Sequence, residues 1–594
     1  MEKISDYGII GNSRSAALVS KNGSIDWLCW PCFDNPSIFC KILDLKKGGC
    51  FSISPKQSFT SSRKYWPDTN ILETHFETAT GKMTLLDFMP VMEEGQKSEI
   101  LDAELEILRI VECTEGEFEV ECNYEPRPQY GQDKINLKLI SHLGLYGEIG
   151  NALLNLRTNF PLDIQQTKAN GLKNLKKGEK FYFSLTFSEQ APSLIRYLGP
   201  QIEDVVLKNT KLFWEKWISK CQYEGPYLNI VKRSLLILKL MNFAPSGALI
   251  ASPTTSLPEK LGGNLNWDYR YCWLRDASAV THTWKKMGYL EEAEAFVNWL
   301  LHSTTLTRPK LKVLYDVYGK TPQKEHDIPL KGYYDSQPIL IGNHAQSQNQ
   351  LDVYGEVIDS VYQIFQNRLK IDRDTQKMIL GFGQYVCQNW EHPDSGMWEL
   401  SQIKRYTHST LLCWVALDRL IKLIDKGLIK TDLKNLFSKT RNAIATVIDQ
   451  EGWSELLKTF TSKLNGNEKD MNVILLSWYG LYAYENPKMQ STQKSLDESL
   501  YAKNGLYFRN KNVEEGAFGL CSLWMVDYLA KSGSLEKAKQ IFEEFSKHGN
   551  DLGIFSEEYQ AGTGETLGNF PLAFTHTGLI NAAISIQESE RRSL

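Results

Sequence analysis

Two loop glutamates and one dense aromatic and charged stretch carry the chemistry of this sequence. The first glutamate, Glu399, lies in residues 391–400, EHPDSGMWEL, where Pro393-Asp394-Ser395-Gly396 signals a turn that delivers Trp398-Glu399. A carboxyl beside a large aromatic is a candidate general acid, because desolvation favours its protonated form. The second, Glu557, lies in residues 554–576, IFSEEYQAGTGETLGNFPLAFTH, where Gly562, Gly564 and Gly568 tighten the loop. A carboxylate there can activate water as a general base. Taken singly, each also reads as an ordinary acid on a surface loop. The third feature is residues 266–276, NWDYRYCWLRD, with two tryptophans, two tyrosines, two arginines and two aspartates. So aromatic a run reads as core, yet four formal charges do not belong in a core unpaired. A sugar site accommodates both properties. Aromatic faces stack on the C–H faces of a pyranose, while carboxylate and guanidinium groups bind its hydroxyls.

Composition narrows the classes. The chain of 594 residues exceeds what one core supports, so two large domains are expected. A formal net charge of −4 gives no basic field for nucleic acid. The 15 tryptophans and 27 tyrosines suit carbohydrate stacking, although large cores account for much of that number. Among 11 cysteines the one cluster is Cys29, Cys32, Cys40 and Cys50, whose later pair lacks zinc-ribbon spacing, so free thiols are expected. No P-loop, dinucleotide fingerprint, His-Glu-x-x-His or EF-hand spacing occurs, and the sequence calls for no cofactor and no metal. The first residues form no apolar leader and no run of eighteen apolar residues appears, which makes the cytosol the expected location and a membrane partner unexpected.

These residues need elements to hold them. Short alternating or β-branched segments at 16–19, 24–30, 51–53, 71–78, 82–88, 104–113, 118–124 and 180–187 predict an antiparallel β-sandwich over residues 1–200. The period turns helical near 202–221, giving a helical linker over 201–225. From 226 to 594 amphipathic helices come in pairs: 277–286 with 291–302, 352–368 with 374–390, 408–426 with 433–449, and 517–531 with 535–548. Paired helices joined by aromatic-rich loops predict an all-α toroid with a pocket at one end.

The chain resembles family-15 glycoside hydrolases of the prokaryotic glucoamylase and trehalase-like type. The similarity is carried by Tyr7-Gly8-Ile9-Ile10-Gly11, residues 23–29 (GSIDWLC), 251–259 (ASPTTSLPE), 266–276, Gly396-Met397-Trp398-Glu399, Glu515-Gly516-Ala517-Phe518, and 555–558 through 568–571. The resemblance implies a β-sandwich followed by an (α/α)6 barrel that hydrolyses α-glucosides from the non-reducing end with inversion. It implies Glu399 as general acid and Glu557 as general base. It implies Arg275 and Asp276 as ligands of the terminal glucose, Tyr269, Trp273 and Trp398 as its aromatic wall, and Glu558 and Arg509 as further sugar contacts. Inversion places the two carboxyl groups roughly 6.5–9.5 Å apart, with water between base and sugar.

Three positions depart from the family pattern by losing a basic residue: Leu265, Ser401 and Thr410. They bear on the leaving-group side of the substrate. A glucoamylase-type activity on an oligosaccharide or disaccharide α-glucoside is the first expectation, and trehalase of the same family is the alternative. A phosphorylase would dispense with the base, and a non-catalytic sugar-binding or regulatory protein would need neither acid nor base.

Overall fold

The computed structural model describes all residues except 94, 96–102, 141–142, 190–196, 369, 512–513 and 594. Its N-terminal part is a 15-stranded antiparallel arrangement organised on one long strand, Glu106–Glu125. The first half of that strand pairs with Gly81–Phe88 and Lys180–Ser188, the second half with Cys50–Pro55 and Lys168–Lys176. The sequence predicts two strands here, 104–113 and 118–124. They are one, because Gly116 (φ +73°) lets the chain pass between pairing partners where a Cβ would meet the Thr80 carbonyl oxygen at 1.9 Å. Phe51 and Phe183, from strands on the two halves, meet edge to face at 5.8 Å. The core strand carries Arg109, fully buried with Asp87, which also donates to the carbonyls of Phe51 (2.6 Å) and Gly23 (2.7 Å).

Thirteen α-helices follow among the described residues: α1 (Lys208–Ile218), α2 (Leu228–Met241), α3 (Leu274–Met287), α4 (Leu290–Ser303), α5 (Asp352–Phe365), α6 (Arg373–Asn389), α7 (Thr407–Asp425), α8 (Lys434–Glu451), α9 (Leu475–Trp478), α10 (Pro487–Leu500), α11 (Gly519–Lys531), α12 (Leu535–Ser546) and α13 (Ala573–Ser593). The predicted pairs correspond to α3/α4, α5/α6, α7/α8 and α11/α12. A π-helical turn, Ile202–Leu207, leads into α1. The contacts run in a closed circuit. Helix α3 packs on α5, α5 on α7, α7 on α9 and the 3-10 turn Met471–Ile474, these on α11, α11 on α13, and α13 back on α3.

Composition separates the circuit from its surroundings. In α7 buried residues occur on every side, from Thr407 to Leu423, as expected for a helix enclosed by neighbours. In α8 only Phe437, Ile444 and Ile448 are buried, and in α12 only Ala538, Ile541, Phe542 and Phe545: single stripes that cover an inner helix. The loops preceding α3, α7, α11 and α13 meet at one cavity. No helix among the described residues is long and apolar enough to cross a membrane.

Candidate active site

Loops entering four of the circuit helices contribute to one cavity of about 350 Å³, and His344 joins them from the segment before α5. Residues 266–273 lead into α3, 394–406 into α7, 515–518 into α11 and 557–572 into α13. Helix N-termini carry partial positive charge, which suits the acidic groups collected here.

The 266–276 stretch divides its four charges into two pairs. Asp268 and Arg270 are both fully buried and joined twice, at 2.8 and 2.7 Å. Asp268 also accepts from the Gly342 N–H, and Arg270 donates to the Asn35 carbonyl at 2.9 Å, tying the helical part to the sheet part. Trp27 reinforces that contact by donating to the Pro253 carbonyl at 2.7 Å. Arg275 and Asp276 stand in the first turn of α3 and line the cavity. Their Nε···Oδ2 distance is 3.5 Å, and both atoms are buried without a hydrogen-bond partner among the described residues. Burial pushes Asp276 up to about 7, with Arg275 opposing and nearby Glu399 adding to the shift.

Glu399 sits at the end of a tight turn that begins at Gly396, with its backbone in the left-handed region at φ +59°. A non-glycine residue there carries strain on the order of 1–3 kcal/mol, and the surroundings hold it in place. Gln348 donates to its carbonyl at 2.9 Å, Trp273 Nε1 to its Oε1 at 2.6 Å, and Arg275 Nη2 to the same oxygen at 3.3 Å. Its side chain is 15% exposed, on the cavity.

Glu557 is fully buried yet borders the same cavity. The Asn569 N–H donates to its Oε2 at 3.1 Å, and its Oε1 has no hydrogen-bond partner among the described residues. Gly568 (φ +72°) lies so close that a Cβ would meet Glu557 Oε2 at 2.5 Å, so this glycine is what allows the loop to fold over the carboxylate. Burial pushes Glu557 up to about 7, while Tyr269, Asn569 and Arg509 oppose the shift.

The aromatic wall is built as well. Tyr269 and Trp273 meet at 67° with centroids 5.4 Å apart. Trp398 is fixed by Asp470, which accepts its Nε1 at 3.1 and 2.9 Å, and by the Arg509 guanidinium 5.3 Å from its ring centroid. Arg509 in turn pairs with Glu515.

Eight of the nine residues singled out from the sequence border the cavity: Tyr269, Trp273, Arg275, Asp276, Trp398, Glu399, Arg509 and Glu557. Glu558 does not. It is fully buried behind the wall, where it accepts from the Gly516 N–H at 2.8 Å. Of the three departures, Leu265 and Ser401 line the cavity, whereas Thr410 lies buried in α7 and bonds the Tyr406 carbonyl at 2.8 Å. Sequence reasoning missed Glu259, Trp267 and His344 on the remaining side, where Trp267 donates to Glu259 at 2.9 Å and lies 5.4 Å from the His344 ring. Trp267 and Glu259 fall inside motifs already noted, residues 266–276 and 251–259. His344 and Asp470 carry no local signal.

Two carboxyl groups, an arginine–aspartate pair with free atoms and an aromatic wall share one cavity, and the comparisons with known proteins agree with that chemistry. A model described as Glycosyl hydrolases family 15 matches residues 225–584. The chain belongs to this family. It is a family-15 glycoside hydrolase, and a second model, Trehalase-like, N-terminal, matches residues 1–152. Among similar proteins, the trehalase of Mycolicibacterium smegmatis is 30% identical over 99% of this chain and 92% of its own length. Trehalase 1 of Sulfolobus acidocaldarius is 30% identical, covering 97% of each chain. A bacterial glucoamylase complexed with acarbose superposes with a TM-score of 0.74 over 98% of this chain and 94% of its own, at 13% identity, which shows a shared fold.

Proposed function

We propose that this hydrolase cleaves α,α-trehalose by single displacement with inversion, Glu399 acting as general acid and Glu557 as general base. The observation that carries the catalytic part is the pair of unlike carboxyl environments on one cavity. Glu399 is clamped by Trp273 and Arg275, oriented to protonate a leaving oxygen. Glu557 borders the cavity beside Tyr269, and its Oε1, which has no hydrogen-bond partner among the described residues, is placed to accept a proton from water. Arg275 and Asp276 line the cavity and are placed to bind hydroxyls of the terminal glucose. Tyr269, Trp273 and Trp398 close its pocket. Trp267, His344 and Glu259 face the second sugar, and Arg509 supports both Trp398 and that side.

Trehalose takes precedence over the starch-type substrate first expected from sequence. Relatives named trehalase align with nearly the whole chain at 30% identity, whereas the glucoamylase at 13% bears on fold alone. The cavity volume, about 350 Å³, is near the lower end for small-molecule pockets and suits a disaccharide. The helix circuit, with α2, α4, α6, α8, α10 and α12 outside it, supports reading residues 226–594 as an (α/α)6 toroid. The two halves of the central strand support a β-sandwich over 1–200, with 201–225 as linker.

Proton NMR of fresh reactions with trehalose, maltotriose and isomaltotriose tests this reading. Inversion of trehalose releases one β-glucose from the cleaved bond and one α-glucose as leaving group, so equal early signals are expected from trehalose and little from the others. Early product that is all α-glucose would show retention and remove Glu557 from the base role. Preferred cleavage of maltotriose would restore the glucoamylase reading.

A further inference from the structure

At the cavity edge Glu259 meets two carboxylates that stand behind the wall, Glu515 and Glu558, and none of the three takes the acid or base role. Glu259, Glu515 and Glu558 each bring one oxygen to within 4.8 Å of the others. They come from three distant loops. In each, one oxygen is anchored: Glu259 Oε1 by Trp267 Nε1 at 2.9 Å, Glu515 Oε2 by Arg509, and Glu558 Oε2 by the Gly516 N–H at 2.8 Å. The other oxygens, Glu259 Oε2, Glu515 Oε1 and Glu558 Oε1, are buried and have no hydrogen-bond partner among the described residues. Exposure of the three side chains is negligible: Glu259 is 3% exposed, the Glu558 residue 0% and the Glu515 side chain 1%. Pinning a carboxylate by one oxygen fixes the direction of the other, which is how proteins orient metal ligands.

Charge points the same way. Glu557 adjoins the group, and Arg509 is the cation paired with it, through Glu515. One guanidinium does not offset several buried carboxylates, whose desolvation is costly unless each is paired. We propose that Glu259, Glu515 and Glu558 bind one hard divalent cation of the Mg²⁺ or Ca²⁺ class. The all-oxygen donor set favours such ions over zinc or copper. Two oxygens on opposite sides of such an ion lie roughly 4–5 Å apart, from bond lengths of about 2.0–2.6 Å, and water completes the shell. The ion ties the loop bearing the base to the loop bearing Glu259 and to the strand Ala517–Phe518. Through Arg509 it also steadies Trp398.

The site itself stands independently of the reaction proposed above; only its effect on turnover rests on that reading. The test is equilibrium dialysis of the chelator-treated full chain against Mg²⁺, Ca²⁺ or Mn²⁺, followed by metal analysis and thermal melting. One ion per chain and a raised melting temperature are expected with at least one of them. Glu515→Gln and, separately, Glu259→Gln are expected to weaken binding at least ~10-fold, with native circular dichroism as the check on folding. Glu399→Gln, which lacks the acid, is expected to bind the ion as tightly as the parent. An ion bound normally by a chain that hydrolyses nothing would keep the site and count against the reaction. Failure of the parent chain to retain any of the three ions at millimolar concentration would overturn the proposal, as would unchanged affinity in both glutamine variants.

Discussion

Residues 266–276 hold two buried arginine–aspartate pairs with opposite surroundings. Asp268 and Arg270 are matched oxygen to nitrogen, and their remaining valences go to Gly342 and Asn35. Arg275 Nε and Asp276 Oδ2 approach only to 3.5 Å, and neither has a hydrogen-bond partner among the described residues. The first pair is finished, and it stabilises the junction between the sheet and helical parts. The second is unfinished, and it borders the cavity. The same contrast separates two buried histidines. His576 receives the Phe555 N–H at 3.3 Å and meets Ser234 Oγ at 3.0 Å, while neither ring nitrogen of His408 has a hydrogen-bond partner among the described residues. In both comparisons the incompletely hydrogen-bonded group is Arg275 with Asp276, or lies close to Arg275.

Substitutions can break that contrast. The largest effect is expected at the carboxyl pair: Glu399→Gln and Glu557→Gln should each lower turnover by ~10²–10⁴-fold without lowering the melting temperature. Near-normal turnover in either would remove that residue from its role. Next, Arg270→Met should cost about 3–5 kcal/mol of stability, because it strands Asp268 as an unpaired buried charge. Urea unfolding measures this, and the folded fraction should retain its kcat. A stability loss below about 1 kcal/mol would mean that the junction does not depend on the pair.

Asp276→Asn probes the unfinished pair. It should lower kcat/KM by about 10–100-fold, the equivalent of one charged hydrogen bond to substrate, with stability unchanged or raised. A variant that unfolds while its kcat/KM persists would reverse the assignment. The smallest effect concerns pH. Burial lowers both His408 and His576 to about 3, Arg275 adding to the first and Arg233 to the second. Each is neutral when folded but protonates near 6.5 when unfolded. The stability they allow is therefore complete above about pH 6.5 and falls as pH drops toward 3, by at most about 1.4 kcal/mol per pH unit per histidine. His408→Leu should flatten that slope by one proton at little cost, whereas His576→Leu should also strand the Phe555 N–H and cost about 1–3 kcal/mol. Equal costs for the two would dissolve the contrast.

Much of the fold was legible because its elements are local. The helices α3 to α8, α11 and α12 announced themselves by apolar periodicity, and glycines such as Gly288 marked their breaks. The loops bearing Glu399 and Glu557 were legible because a turn signal or a run of glycines flanks a glutamate beside aromatics. Other parts were not. Two predicted strands proved to be one, since Gly116 reads as a turn until its neighbours in the sheet are known. Glu558 was expected at the sugar and stands behind the wall, because neighbouring residues on an extended chain point to opposite sides.

Sequence by itself determined the family, the order of a sheet-rich part and a helical part, and which glutamates stand beside aromatic residues at loop ends. Those features follow from periodicity, turn chemistry and motif, all of which act over a few residues. The tertiary structure alone decided which arginine–aspartate pair is closed and which is open. It also brought Glu259, Glu515 and Glu558 together and set Asp470 behind Trp398. Those relations depend on loops that meet only when the circuit of helices closes. Hydrogen-bond completion is a property of the surrounding space, which no short stretch of sequence encodes.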